Sequence, residues 1–102
     1  MKTQVTFRHT KGHHPKLHDD AIAHAESFVK YHDGIISTNV EFLNETDKTV
    51  IITTHLQGAT LVGKDGSDDF HKSLNSAADK VVRQIKKLKT KQISVRTKGV
   101  EV

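Results

Sequence analysis

Apolar and polar side chains alternate from Thr3 to Arg8, with Val5 and Phe7 on one side and Gln4, Thr6 and Arg8 on the other, the two-residue period of a half-buried strand. Lys11-Gly12-His13-His14-Pro15 breaks the alternation, and Pro15 suits the first turn of a helix, where its missing N–H costs little. The period then lengthens. Leu17, Ala21, Ala25 and Phe28 recur every three or four residues, flanked by Ile22 and Val29, and Asp33-Gly34 supplies a stop, which predicts a helix over about residues 15–32. From Ile35 the period returns to two, with Ile36, Thr38, Val40 and Phe42 on one face and Asn39 and Glu41 on the other. Asn44-Glu45-Thr46-Asp47-Lys48 predicts a hairpin turn, and Thr49 to Leu56, dense in β-branched residues, the returning strand, which Gln57-Gly58 ends. Ala59 to Lys64 predicts a short fourth strand closed by the turn cluster Asp65-Gly66-Ser67, after which Asp68 or Asp69 can cap a last helix.

The resulting order, β-α-β-β-β-α, implies an α+β two-layer sandwich in which a four-stranded sheet carries both helices on one face. Strands two to four form an antiparallel meander, and a right-handed crossover through the first helix favours parallel pairing of strands one and two.

The last helix has two faces. At about 100° per residue, Phe70, Leu74, Ala77, Ala78, Val81, Ile85 and Leu88 fall within an arc of about 100°, as a core-facing stripe should. Lys72, Ser76, Lys80, Arg83 and Lys87 share another arc about 80° wide and form a cationic ridge. Lys86, Lys89 and Lys91 widen its far end, and Arg96 and Lys98 carry it into an extended tail.

Charge sharpens this picture. Residues 1–70 hold seven Lys/Arg against ten Asp/Glu, whereas residues 71–102 hold nine Lys/Arg against only Asp79 and Glu101. Such asymmetry points to a polyanionic partner, nucleic acid or acidic membrane, and the bland alternative is a solvated helix face. A solvated helix ordinarily interleaves acidic residues four positions away, and only Asp79 does so between residues 71 and 98. The helix dipole accounts for cations at Lys86 to Lys91, near the C-terminus, but not for Lys72 or Lys80. RNA or DNA contact is therefore favoured over the bland reading. Aromatic residues are few and none lies on the ridge, so contact falls on phosphates rather than on stacked bases.

The length of 102 residues fits one domain, expected over residues 1–92 with a short basic tail at 93–102. No apolar run approaches the roughly 18 to 20 residues needed to cross a bilayer, and Met1 to Arg8 lacks the apolar stretch of a signal peptide, so a cytoplasmic location is expected. The absence of cysteine excludes disulfides, thiolate zinc sites and thiol catalysis. Eight histidines raise a metal hypothesis, chiefly at His14 and His18 with His13 and Asp19 nearby, but no HExxH arrangement or second positioned pair supports it. Charge that varies with pH near neutrality is their softer role. Gly63-Lys64-Asp65-Gly66 matches a GxxG loop, yet a strand-like segment precedes it where such a loop joins two helices. No nucleophile elbow orders the Ser, His and Asp side chains, and no enzyme is expected.

The element order, together with Asp79-Lys80-Val81-Val82-Arg83-Gln84-Ile85-Lys86-Lys87-Leu88-Lys89-Thr90-Lys91, resembles the ribosome hibernation-promoting factor and ribosome-associated inhibitor family. Lys30-Tyr31-His32-Asp33 and Gly58-Ala59-Thr60-Leu61 support the resemblance, which spans nearly the whole chain. It implies a fold similar to double-stranded RNA-binding domains, and a translation inhibitor that docks on the small ribosomal subunit where messenger and transfer RNA would sit, in stationary phase or stress. It implies no catalysis, cofactor, membrane or small-molecule substrate, and leaves a partner hibernation factor open. Carried over by position, the ribosomal RNA contacts are Lys80, Arg83, Lys86, Lys87 and Lys89, with Lys30 and Tyr31 closing the first helix, and the ridge adds Lys72 and Lys91. The family's first helix is usually rich in Lys and Arg, whereas this one carries only Lys16 and Lys30. The chain has the look of a short form without the family's additional dimerisation domain. Two rivals stand beside this reading: a general structured-RNA-binding module and a histidine-dependent metal-binding protein.

Overall fold

A computed structural model describes residues 2–10, 14–32 and 34–101, with side chains through Leu88. The elements run β1 (Lys2–Arg8), α1 (Pro15–Phe28), β2 (Ile35–Asn44), β3 (Lys48–Leu56), β4 (Ala59–Ser67) and α2 (Phe70–Glu101). This is the expected α+β order. The sheet is ordered β1-β2-β3-β4, with β1 parallel to β2 and the later pairs antiparallel. Rows across it pair Val5 with Val40, Val40 with Ile52, and Ile52 with Gly63. Alternation turns this row toward the helices, α1 packing against β1 and β2 and α2 against β3 and β4.

Burial follows the two periods. Leu17, Ala21, Ala25 and Phe28 of α1 and Phe70, Leu74, Ala77, Ala78, Val81 and Ile85 of α2 close over Val40, Phe42, Val50 and Ile52. Phe7 stacks on Phe42 at 4.7 Å between ring centroids, and Phe42 meets Phe70 edge-on at 5.4 Å, so one aromatic series joins an edge strand to the start of α2. Gly63 lies where α2 crosses β4: a Cβ there would collide with the carbonyl oxygen of Ala77 and the Val81 side chain. Glycine at this position lets the helix backbone approach the sheet.

Four local expectations change. Ile36 does not share the core face with Val40 and Phe42. The register shifts between Ile35 and Ser37, so Ile35 turns inward and Ile36 is 58 % exposed. Asp65-Gly66-Ser67 is strand rather than turn, because β3 extends far enough to pair Asp65 with Val50, Gly66 with Thr49 and Ser67 with Lys48. The first helix stops at Phe28, its last buried residue, and residues 29–31 form a turn in which Tyr31 N–H donates to the Phe28 carbonyl at 3.0 Å. Asp33, half of the expected stop, lies outside the described residues. Finally, the backbone of α2 continues through Glu101, in place of an extended tail after residue 92. No proline interrupts that stretch, and a single glycine at 99 costs only about 1 kcal/mol.

Asp69, rather than Asp68, caps α2: its carboxylate accepts from the His71 N–H at 3.1 Å, and its carbonyl accepts the first helical bond from Ser73. Ser73 is fully buried, and its hydroxyl donates to the Lys48 carbonyl while lying 2.8 Å from the Ser67 hydroxyl. These contacts tie the first turn of α2 to the start of β3 and the end of β4.

Candidate nucleic-acid interface

The core stripe of α2 fixes what its other faces present. With Ala77 and Val81 against the sheet, Lys72, Ser76, Lys80, Arg83, Lys86 and Lys87 are all exposed. The side chains of Lys89 and Lys91 lie outside the described residues. On the helix wheel, Lys80 and Gln84 flank the core stripe on the side of β4, whereas His71, Asn75, Val82 and Lys86 flank it on the side of α1. The expected contact residues therefore divide between two shoulders of one helix.

On the β4 shoulder the ridge is less bare than its sequence suggests. Lys72 lies 3.6 Å from the Asp68 carboxylate, Lys80 3.4 Å from Asp65, and Arg83 3.0 Å from Asp79. Counting acidic residues within residues 71–98 missed Asp65 and Asp68, because one precedes the helix and the other reaches it from β4. Lys80 also donates to the Lys64 carbonyl at 2.7 Å, and Gln84 donates to the Val62 carbonyl at 2.7 Å. Both carbonyls belong to the sheet's last strand, so α2 side chains cover part of an edge that would otherwise be open to pairing. Among the described residues Lys87 is the cation of the 72–76–80–83–87 arc presented without a carboxylate beside it.

On the α1 shoulder Lys86 sits over the Tyr31 ring, 5.4 Å from its centroid. Tyr31 is 37 % exposed, and Lys30 beside it is exposed as well. The sequence named these residues separately, and the fold brings Tyr31 and Lys86 together. A shallow groove runs between the helices, lined by Asp20, His24, Ser27, His71 and Asn75 at one end and by Tyr31, Asp79, Val82 and Lys86 at the other. His24 bonds Asn75 at 3.0 Å and His71 faces Asp20 at 3.5 Å, so polar side chains bridge the two helices. Periodicity within either helix gives no sign of these pairs, which depend on how the helices lie side by side.

The histidines are spread through this arrangement. The His14 ring stacks on Phe7 at 5.3 Å, and His18 lies 3.6 Å from Asp19. His13 lies outside the described residues. Among the described residues, no three His, Asp or Glu side chains come together in a group that could hold a metal ion. No described helix is long and apolar enough to cross a membrane.

A mixed four-stranded sheet backed by two helices, with its basic residues concentrated on the longer helix, defines an α+β module whose distinguishing surface is α2. Over residues 3–93 the sequence matches the family described as Sigma 54 modulation protein / S30EA ribosomal protein, and the chain belongs to that family of ribosome-associated factors. Among solved structures, it is similar to a ribosomal subunit interface protein from Coxiella burnetii, with a TM-score of 0.80 and 23 % identity over 88 % of this chain and 99 % of that one. It is also similar to the N-terminal domain of Protein Y from Thermus thermophilus, with a TM-score of 0.77 and 17 % identity over 86 % of this chain and 99 % of that one. Both likenesses are likenesses of fold. Among curated protein sequences, none matches this chain.

Proposed function

We propose that this protein docks on the small ribosomal subunit and inhibits translation by occupying the region used by messenger and transfer RNA. The observation that carries the reading is the succession of exposed cations along α2, Lys72, Lys80, Arg83, Lys86 and Lys87, in a chain whose family is ribosome-associated. Lys89 and Lys91 follow them in sequence, and Lys30 and Tyr31 lie at the end of α1. These residues meet ribosomal RNA chiefly through phosphates, because the ridge offers guanidinium and ammonium donors and no aromatic platform. The part played is occupancy rather than catalysis, and it belongs to the cytoplasm, where ribosomes work. Residues 1–92 form the binding domain in this reading, and residues 93–102 follow it. The naming of one structural neighbour as a ribosomal subunit interface protein agrees with the reading.

The test is co-sedimentation with purified small subunits at moderate salt, alongside the double variant Arg83→Glu/Lys87→Glu. The unchanged protein pellets with subunits and the variant stays in the supernatant. Equal binding of both proteins sinks the site assignment, and equally tight binding of free duplex RNA favours a general RNA-binding module instead.

A further inference from the structure

The ridge is a mixed-charge surface. Asp68 faces Lys72, Asp65 faces Lys80 and Asp79 faces Arg83, at 3.6, 3.4 and 3.0 Å, and the three carboxylates come from the residues before α2, from β4 and from α2 itself. Side chains of both signs reach solvent: Lys72 and Asp68 are 68 % and 85 % exposed, and Arg83 and Asp79 are 77 % and 56 % exposed. Exposed pairs of this kind hold one another weakly, so they do little for the fold. They do much to the field that an approaching polyanion meets.

We propose that Asp65, Asp68 and Asp79 are specificity-determining residues that make α2 reject uniform phosphate surfaces and accept RNA whose phosphates are interrupted by hydrogen-bond donors. The inference rests on the reading of α2 as the RNA-contacting face. A carboxylate and a phosphate compete for the same guanidinium or ammonium donors. A regular duplex, whose base amino groups are mostly held in pairs and whose ribose hydroxyls line the minor groove rather than the phosphate ridges, must displace each carboxylate and then lie beside it with few donors in reach. A folded RNA surface that presents unpaired base amino groups beside its phosphates satisfies the cations and the released carboxylates together. Repulsion built against the wrong partner yields selectivity that attraction alone does not.

Lys86 and Lys87 stand outside this screen. Lys86 rests on Tyr31, and neither it nor Lys87 is paired with a carboxylate among the described residues. The far end of the ridge thus supplies attraction at long range, while its first part discriminates at contact.

The experiment compares the unchanged protein with Asp65→Asn/Asp68→Asn/Asp79→Asn, a variant that keeps side-chain shape and leaves the Asp69 cap in place. Binding is measured to a free duplex RNA and to purified small subunits, across a salt series, after circular dichroism has established equal folding. The variant binds duplex RNA about tenfold more tightly, as removal of three weak competing pairs implies, and with a steeper salt dependence. Its affinity for subunits rises by a smaller factor, so the preference for subunits falls. Equal gains on both RNAs overturn the proposal, since the carboxylates would then be mere counter-charges. An unchanged duplex affinity overturns it too. Failure of the unchanged protein to bind subunits strikes instead at the function proposed above, and the duplex arm still decides whether the carboxylates screen the ridge.

Discussion

The Lys80 ammonium donates to the Lys64 carbonyl oxygen at 2.7 Å, so a residue of the cationic ridge also holds α2 to the last strand of the sheet. Lys80 thereby differs from its neighbours on the ridge. Lys80→Glu lowers stability by about 1 kcal/mol, because a charge-assisted bond is lost and a second carboxylate is set beside Asp65. Lys87→Glu, with no described contact to the sheet, changes stability by no more than about 0.5 kcal/mol. Arg83→Glu exchanges the exposed i,i+4 pair with Asp79 for a repulsion but breaks no bond to the sheet, and it also costs only about 0.5 kcal/mol. Urea unfolding of the three single variants distinguishes them, and equal losses in all three would show that the Lys64 contact does not matter.

Removing both edge donors has a different consequence. Lys80→Ala/Gln84→Ala uncovers the Val62 and Lys64 carbonyls on an edge strand whose Val62 side chain is already 49 % exposed. Uncovered edges pair with one another. Sedimentation velocity over a range of concentrations should show this variant self-associating at concentrations where the unchanged protein does not. Identical profiles would mean that the two side chains do not guard the edge.

Two glycines fail for different reasons when given a methyl group. Gly63→Ala forces a Cβ into the Ala77 carbonyl and costs about 1–3 kcal/mol by overpacking. Gly58 has open space around it but a φ of +83°, so Gly58→Ala suffers conformational strain of about 1 kcal/mol. Chemical denaturation should rank Gly63→Ala as the more damaging, and the reverse order would contradict the close helix approach.

Ser73→Ala leaves the carbonyl of half-buried Lys48 without the hydroxyl that the fully buried Ser73 brings to it. The expected loss is about 1 kcal/mol, the net worth of one hydrogen bond. Ser76→Ala, one turn along and exposed, should be close to neutral in the same unfolding assay.

Phosphate contact has its own signature. Log affinity for small subunits should fall linearly with log salt, and Arg83→Glu/Lys87→Glu should flatten that slope by about two, near 0.9 for each phosphate lost. Residual binding of the variant at low salt suffices for the measurement. A slope unchanged by the double reversal would argue that neither residue meets a phosphate.

The strands, helices and sheet topology could be read from the chain because each rests on a local period: two for Val5 and Phe7, three or four for Leu74, Ala78, Val81 and Ile85. What escaped was whatever depends on elements meeting. A bulge between Ile35 and Ser37 turns Ile36 outward without disturbing the alternation downstream, so the sequence pattern carries the right parity for Thr38, Val40 and Phe42 and the wrong one for Ile36. Asp65-Gly66-Ser67 has turn composition, yet β3 offers it partners, and ladder hydrogen bonds outweigh a local preference. The same limit applies to the candidate interface. Exposure of the ridge follows from the wheel, but the pairing of Lys80 with Asp65, the bond from Gln84 to Val62 and the Lys86–Tyr31 contact join residues far apart in sequence.

The parallel pairing of β1 with β2 bears on the order in which the molecule assembles. The meander β2-β3-β4 closes through two short hairpins, whereas Lys2 must find Ser37 across a crossover that includes all of α1. Loop-closure entropy delays such distant contacts until other structure rewards them. In pulse-labelling hydrogen exchange the β1 amides should accordingly gain protection after those of β3, leaving this edge of the sheet the last to be locked into place.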